Sequence, residues 1–231
     1  MNKIQVKILT HNFNGMPLFL AKLTQRGHQI TSMDDLLKLY EENVHKQPSA
    51  ELLKLPHSTI QRMCNMTVAI FGLSTKAVSQ LRTHATRLTF ISTSTQYSEY
   101  SGVQDPYVIP EGLNSVEMTL AKGAYQIIHQ AYSQLSAMTG DRDKASYLLP
   151  QGLRKCLIVS GKFPDWQYVL QTRLCNRNTK EVQYICQLIL QEMSDKCGKV
   201  WADQCLPTCC STGCREGKFC CGHKYEDVRQ K

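Results

Sequence analysis

The chain has 231 residues, 42% of them apolar, and a formal net charge of +8. That size and composition suit one domain, or one with a small appendage, with enough apolar side chains for a full core. No run approaches the length of a membrane span, and the N-terminus MNKIQVKILTHNF lacks the apolar stretch of a signal peptide, so a cytoplasmic location with no membrane partner is expected.

The 27 lysines and arginines are scattered rather than blocked. Scattered charge favours small anionic ligands and makes a nucleic-acid partner unlikely; a merely basic surface is the plain alternative. Eleven cysteines would suggest disulfides in a small secreted chain, which this is not. Cys64, Cys156, Cys175 and Cys186 lie in apolar surroundings and are expected to be reduced, buried thiols.

In chain order, residues 4–10 (IQVKILT) alternate and are β-branched, which predicts a strand. A turn follows at Asn12–Gly15, then a short helix over 16–26. A better helix starts at Met33-Asp34-Asp35, where Asp is expected to cap the first turn. Leu55 to Thr59 is a loop, and Met66 to Phe71 a strand. Ser74 is the expected N-cap of a helix over 76–86, which places Gln80 and His84 at i and i+4 on one face. Arg87 closes that helix and opens the β-prone run Leu88–Ile91.

The stretch from Gln80 to Gly102 concentrates polar chemistry. Arg82, His84 and Arg87 supply charge; Ser92, Thr93, Ser94, Thr95 and Tyr97 supply hydroxyls. This is a candidate anion and heterocycle site. The plain alternative is that His84 and Arg87 simply complement the end of a helix.

A long helix is predicted from about Ser115 to Met138, with Val116, Leu120, Ala124, Ile127, Ile128, Ala131 and Leu135 as a core stripe and His129 exposed. Residues 154–163 predict a buried strand, and Asp165 is the expected cap of a helix over 166–174. The next helix carries Val182, Ile185, Cys186, Ile189, Leu190 and Met193 as a core stripe. In the tail, Cys205-x3-Cys209 is an acceptable zinc pair and Cys214-x5-Cys220 a loose one. Free thiols or a disordered tail are the alternative there, and no metal ligand is assigned.

Several of these stretches resemble, in order, the flavin-dependent thymidylate synthase family. Its signature reads Arg-His-Arg-x2-Ser-x-Asn-Glu-x-Ser-x-Arg-Tyr, preceded by Gln. Gln80, His84, Ser94 and Tyr97 fall on it if one extra residue lies between His84 and Ser94. Thr83 and Ala85 stand for the flanking arginines, Ile91 for Asn, Ser92 for Glu and Gln96 for the last Arg. His57 and Thr59 follow a His-x-Thr/Ser pattern before a strand, although Arg62-Met63 replaces the Glu-His pair. Leu149-Pro150 matches an Ala-Arg-x2-Leu-Pro element in which Ser146 replaces Arg. Arg173 keeps the arginine of a Leu-x-x-Arg segment, and Lys180-Glu181-Val182 matches the helix after it. Cys214 to Gly222 resembles a tail found in some members.

The resemblance implies an α/β fold of the α+β type, with a central sheet and long helices over residues 1–200 and a Cys-rich tail over 201–231. It implies a homotetramer with active sites built from several subunits. FAD would be reduced by NADPH, and methylenetetrahydrofolate would donate a one-carbon unit to C5 of dUMP. Arg173 would meet the pyrimidine and act as the catalytic group, stabilising charge that develops there. His57, Thr59, His84, Arg87 and Arg177 would hold the cofactor. Gln80, Ser92, Ser94 and Gln96 would line the nucleotide pocket with Arg173. No protein nucleophile is required, because the cofactor carries the hard chemistry.

Both arginines that hold the substrate phosphate in the family are missing here. Either other cations replace them, with Arg82, Arg87, Arg154 and Lys155 as candidates, or the substrate is a different pyrimidine nucleotide or nucleoside, methylated or hydroxymethylated at C5, or the site is inactive. A reading from another class is a non-catalytic nucleic-acid-binding protein with a zinc-bound tail. It predicts no flavin and a salt-dependent affinity.

Overall fold

The computed structural model describes residues 4–55, 58–227 and 229. The elements run β1 (Gln5–His11), α1 (Met16–Gln25), α2 (Met33–Glu41), two single-turn helices α3 (Ala50–Leu53) and α4 (Thr59–Arg62), β2 (Asn65–Ser74), α5 (Thr75–Arg82) and β3 (Thr89–Ser92). They continue with α6 (Ser115–Thr139), α7 (Arg142–Ser146), β4 (Arg154–Lys162), α8 (Phe163–Arg173), α9 (Lys180–Cys197) and α10 (Lys199–Gln204). No helix among the described residues is long and apolar enough to cross a membrane.

The four strands form one antiparallel sheet in the order β1-β2-β4-β3. Alternation sorts its faces. Met66, Val68 and Ile70 of β2, with Leu157 and Val159 of β4, point into the main core with α5, α8 and α9. Phe71, Ile91 and Ile158 lie on the opposite face, which is solvent-exposed. Gly72, at φ +88°, sits where the β2–β4 register shifts between Phe71 and Leu73, a bulge that needs a left-handed residue.

Two tryptophans anchor the helical layer. The Trp166 indole donates to the Met66 carbonyl at 3.0 Å. Trp201 stacks on Phe13 at 4.5 Å and meets Phe163 edge-on at 4.5 Å. Cys205 and Tyr225 of the tail are buried in this same core. Tyr100, Tyr107, Tyr132, Ala145 and Leu153 form a second, smaller core around α6 and α7.

The structure corrects several local expectations. Ser32, not Asp34 or Asp35, caps α2; Asp35 returns a bond to the Ser32 backbone and closes a capping box. Lys162 occupies the N-cap position of α8, which starts three residues early because Pro164 suits a first turn; the Asp165 carboxylate pairs with Arg87 at 3.5 Å. Cys64 and Cys186 are buried as expected, whereas Cys156 and Cys175 are only partly covered.

The largest correction concerns α6. Its helical period is as expected, but Val116, Leu120 and Ile127 are 70–76% exposed, so the stripe is no core within one chain. Periodicity reports an apolar face without saying what covers it. His129, expected to be exposed, is half-buried, with Nδ1 3.3 Å from the Tyr107 hydroxyl and Nε2 3.1 Å from the Ser101 carbonyl.

Candidate functional site

Ser74 caps α5 as its type predicts, accepting from the Ala77 N–H. Its own N–H and hydroxyl donate to the two Glu181 oxygens at 2.7 and 2.6 Å, which ties α5 to the first turn of α9. The helix ends at Arg82 rather than 86, and residues 83–88 continue as tight turns.

The early end has a cause in α8. Arg173, its last residue, sends one guanidinium nitrogen to the Gln80 carbonyl at 3.0 Å and to the Thr83 hydroxyl at 2.7 Å. A cation thereby satisfies an orphan carbonyl of the last turn of α5. Arg173 Nε donates to His84 Nε2 at 2.8 Å, and Nη1 donates to Asn178 Oδ1 at 3.0 Å. The Gln80 amide oxygen accepts from the Thr179 hydroxyl at 2.7 Å. Gln80, His84 and Arg173 are thus brought together, though not by the i, i+4 geometry expected of one helix.

His84 is 9% exposed. Burial, then the charges of Arg173 and Arg87, push its pKa below the ordinary histidine value. A guanidinium cannot accept, so His84 Nε2 is the acceptor and its proton sits on Nδ1. Beside it, the Arg87 guanidinium lies 4.0 Å over the Tyr168 ring, whose centroid is 6.0 Å from that of His84.

The hydroxyl loop lies elsewhere. Ser92 ends β3 opposite Leu157. Ser94 Oγ accepts from the Gln96 and Tyr97 N–H groups at 3.1 and 3.2 Å, closing a serine turn that leaves the Gln96 side chain in solvent. From Thr89 to Ser92 β3 climbs three residues, roughly 10 Å at strand rise. His84 and Ser94 therefore stand at opposite ends of β3.

Thr59 opens α4 and is exposed. His57 lies outside the described residues. Arg177 is not with His84 and Arg173: it donates to the Phe219 carbonyl at 2.7 Å and pairs with Glu216 at 3.7 Å, pinning the tail. Among the described residues no group of three or more His, Cys, Asp or Glu side chains is placed to hold a metal. A cavity of about 970 Å³ opens between α6 and the starts of α5 and α9, lined by Tyr107, Tyr125 and Lys122. Of the residues singled out in the sequence, Arg154 and Glu181 line it, whereas Gln80, His84 and Arg173 do not.

Sequence reasoning missed Thr83, Asn178 and Thr179, the partners that fix Arg173 and Gln80. Asn178 donates to the Thr172 and Cys175 carbonyls at 2.8 and 3.3 Å, so it also caps α8. Asn just past a helix end is the signal that was available.

The fold and the sequence both find counterparts among known proteins, and these place the chain in a class of flavin-dependent thymidylate synthase-like proteins. The family model for the thymidylate synthase complementing protein matches residues 16–197, and the chain belongs to that family, whose enzymes are the flavin-dependent thymidylate synthases. A flavin-dependent thymidylate synthase of Pyrococcus abyssi is 22% identical over 173 residues, 71% of this chain and 68% of that protein. The fold is shared with solved structures. Helicobacter pylori thymidylate synthase, complexed with FAD and dUMP, superposes with a TM-score of 0.66 at 18% identity, covering 87% of this chain and 99% of the other. The UMP/dUMP methylase PolB of Streptomyces cacaoi, bound with 5-Br dUMP, gives 0.64 at 16% identity, covering 88% and 95%.

Proposed function

We propose that this chain transfers a one-carbon unit from methylenetetrahydrofolate to C5 of a pyrimidine nucleotide, dUMP first, with FAD as cofactor and NADPH as reductant. The observation that carries the reading is the convergence of Gln80, His84 and Arg173, three residues that the family resemblance also singles out.

The donor set suits a flavin. The neutral His84 offers an Nδ1–H, and the stacked Arg87 and Tyr168, both partly exposed, offer a flat cationic and apolar face. Thr59 and His57 join this set through the resemblance alone. Bound FAD would supply the hydride that completes the methyl group. Arg173 has five N–H donors, four of them used by His84, Asn178, Gln80 and Thr83. The fifth, on Nη1, is left for a pyrimidine carbonyl, where its charge would stabilise electron density as C5 attacks. Gln80 lies alongside to orient the base.

Arg173 and the Ser92–Gln96 loop lie beyond opposite ends of β3, and the resemblance implies active sites built from several subunits, so one substrate would meet the two from different copies. The exposed apolar stripe of α6 is a surface such a copy would cover, in keeping with a cytoplasmic homotetramer.

A second reading, C5 modification of UMP or another pyrimidine, is favoured by Ser146 and Gln96 standing where the family has arginines. One experiment separates the readings. The absorption spectrum of the purified protein is recorded, and the bound flavin is titrated with dUMP, UMP and dCMP. The nucleotide that perturbs the flavin bands is the substrate class. A colourless protein that refuses added FAD overturns the proposal.

A further inference from the structure

The one-carbon transfer uses none of the eleven cysteines, and their surroundings divide them. Cys64, Cys186 and Cys197 are buried, and desolvation pushes each of these thiols up to about 12. Cys210 is exposed, but its Sγ donates to the Tyr225 carbonyl at 3.7 Å, and partial desolvation, then the neighbouring Cys209, raise its pKa as well. A thiol held in its protonated form is a poor nucleophile, because the thiolate is the reactive species.

Cys220 differs in the direction of its hydrogen bonds. It is exposed at the end of a tight turn, in which the Phe219 N–H donates to the Glu216 carbonyl at 2.9 Å and the Cys220 N–H to the Gly217 carbonyl at 3.0 Å. Its Sγ accepts the Gly222 N–H at 3.4 Å, and the Cys214 thiol donates to the same sulfur. The adjacent Cys221 has the opposite role, donating to the His223 carbonyl at 3.4 Å. Arg177 grips this turn: its guanidinium donates to the Phe219 carbonyl at 2.7 Å, pairs with Glu216 at 3.7 Å and lies 5.9 Å from the centre of the Phe219 ring. A cation is thus pinned one residue away from an exposed sulfur that already accepts two hydrogen bonds. The Gly222 N–H, the Cys214 S–H and the Arg177 charge hold the Cys220 thiol below its ordinary value, against partial desolvation and the charge of Glu216.

We propose that Cys220 and Cys214 form a thiol–disulfide exchange site, with Cys220 as the attacking sulfur, Cys214 as the resolving one and a small-molecule disulfide as the co-reactant. The Cys220 thiolate attacks one sulfur of that disulfide. A new S–S bond forms as the old one breaks, and the leaving thiolate takes a proton from solvent. Cys214 then loses its proton to solvent, and its thiolate attacks the Cys220 sulfur and displaces the second half of the co-reactant. Two protein thiols are oxidised to one disulfide, and one small disulfide is reduced to two thiols. The ring so closed contains Glu216 and Phe219, the two residues that hold Arg177. Oxidation therefore braces the tail against the segment between α8 and α9. The inference goes beyond the nucleotide reading and does not depend on it.

The test uses the full-length protein, reduced and then freed of reductant. Timed alkylation with iodoacetamide near neutral pH, read by peptide mass analysis, gives a rate for each cysteine. Cys220 is expected to react at least about tenfold faster than Cys210. A second sample is equilibrated with glutathione disulfide, quenched with N-ethylmaleimide and cut with trypsin. Cleavage after Arg215 and Lys218 separates Cys214 from Cys220, so a bond between them joins two peptides. The joined peptides are expected in the wild type. They should be lost in Cys214→Ser, where glutathione stays on Cys220, and lost in Cys220→Ser. A Cys220 that reacts no faster than Cys210 in the wild type overturns the inference, whatever the variants do. So does glutathione retained on wild-type Cys220 with no joined peptides, or joined peptides that survive either substitution. A Cys220 that reacts only after a chelator is added also overturns it, because the sulfur is then a metal ligand. Each of these readouts is independent of FAD and nucleotide binding, so the functional reading stands or falls separately.

Discussion

Arg173 Nε stands 2.8 Å from His84 Nε2, across 89 residues of sequence, and the direction of that bond fixes the protonation state of the histidine. The bond exists only while Nε2 is bare. His84 is therefore a neutral residue with its proton on Nδ1, held so by a cation at Nε2.

The pH dependence follows from the depressed His84 pKa. The unfolded chain takes up a proton near pH 6.5, while the folded chain resists until a lower pH. Stability is full above about pH 6.5 and falls as pH drops through that value toward the folded pKa. Imidazole NMR should place the His84 midpoint below the ordinary histidine value of 6.5. A midpoint at or above 6.5 would mean that the Arg173 contact does not exist in solution.

Arg173→Lys should keep the charge and lose the fork. Pyrimidine binding should weaken by at least about tenfold while FAD stays bound, because Lys cannot donate to His84, Asn178 and Gln80 from one plane. Unchanged nucleotide affinity in a flavin titration would sink the catalytic assignment. By contrast, His84→Ala should lower flavin occupancy. A fully yellow His84→Ala protein would place that residue wrongly.

Glu181 ties two helices through one serine. Glu181→Ala strands the Ser74 N–H and hydroxyl, both nearly buried, and should cost about 1–3 kcal/mol. For a chain of this size that is a fall of roughly 2–10 °C in Tm, measurable by calorimetry. A variant as stable as wild type would show that water replaces the carboxylate without penalty.

The α6 stripe predicts assembly. Leu120→Glu with Ile127→Glu changes two side chains that touch little in their own chain, so each copy should stay folded by circular dichroism. If a second copy covers this face, light scattering should show the wild-type oligomer giving way to smaller species. An unchanged mass would assign the stripe to some other role.

How far the sequence could be read differs by element. Helix α6 was legible because its period marks it, strand β2 and helix α9 because the resemblance placed them, and Ser74 because its cap chemistry is local. What period could not show was coverage: the stripes of α6 and α9 look alike in sequence, yet Ile189 and Leu190 are buried and Leu120 is not. The end of α5 was misplaced because Arg173, far along the chain, stops it. Arg173, His84 and Gln80 were found only through a resemblance. Their clamps Asn178 and Thr179 were not, because a single Asn or Thr carries no pattern.

Four fixed partners leave the Arg173 side chain with a single rotamer. The conformational entropy of a long, flexible side chain, about 1.5–2 kcal/mol, is then lost once, when the chain folds. A base that meets this guanidinium would meet a stationary cation. Its affinity is not reduced by any further ordering of the arginine, and its orientation is dictated by the protein.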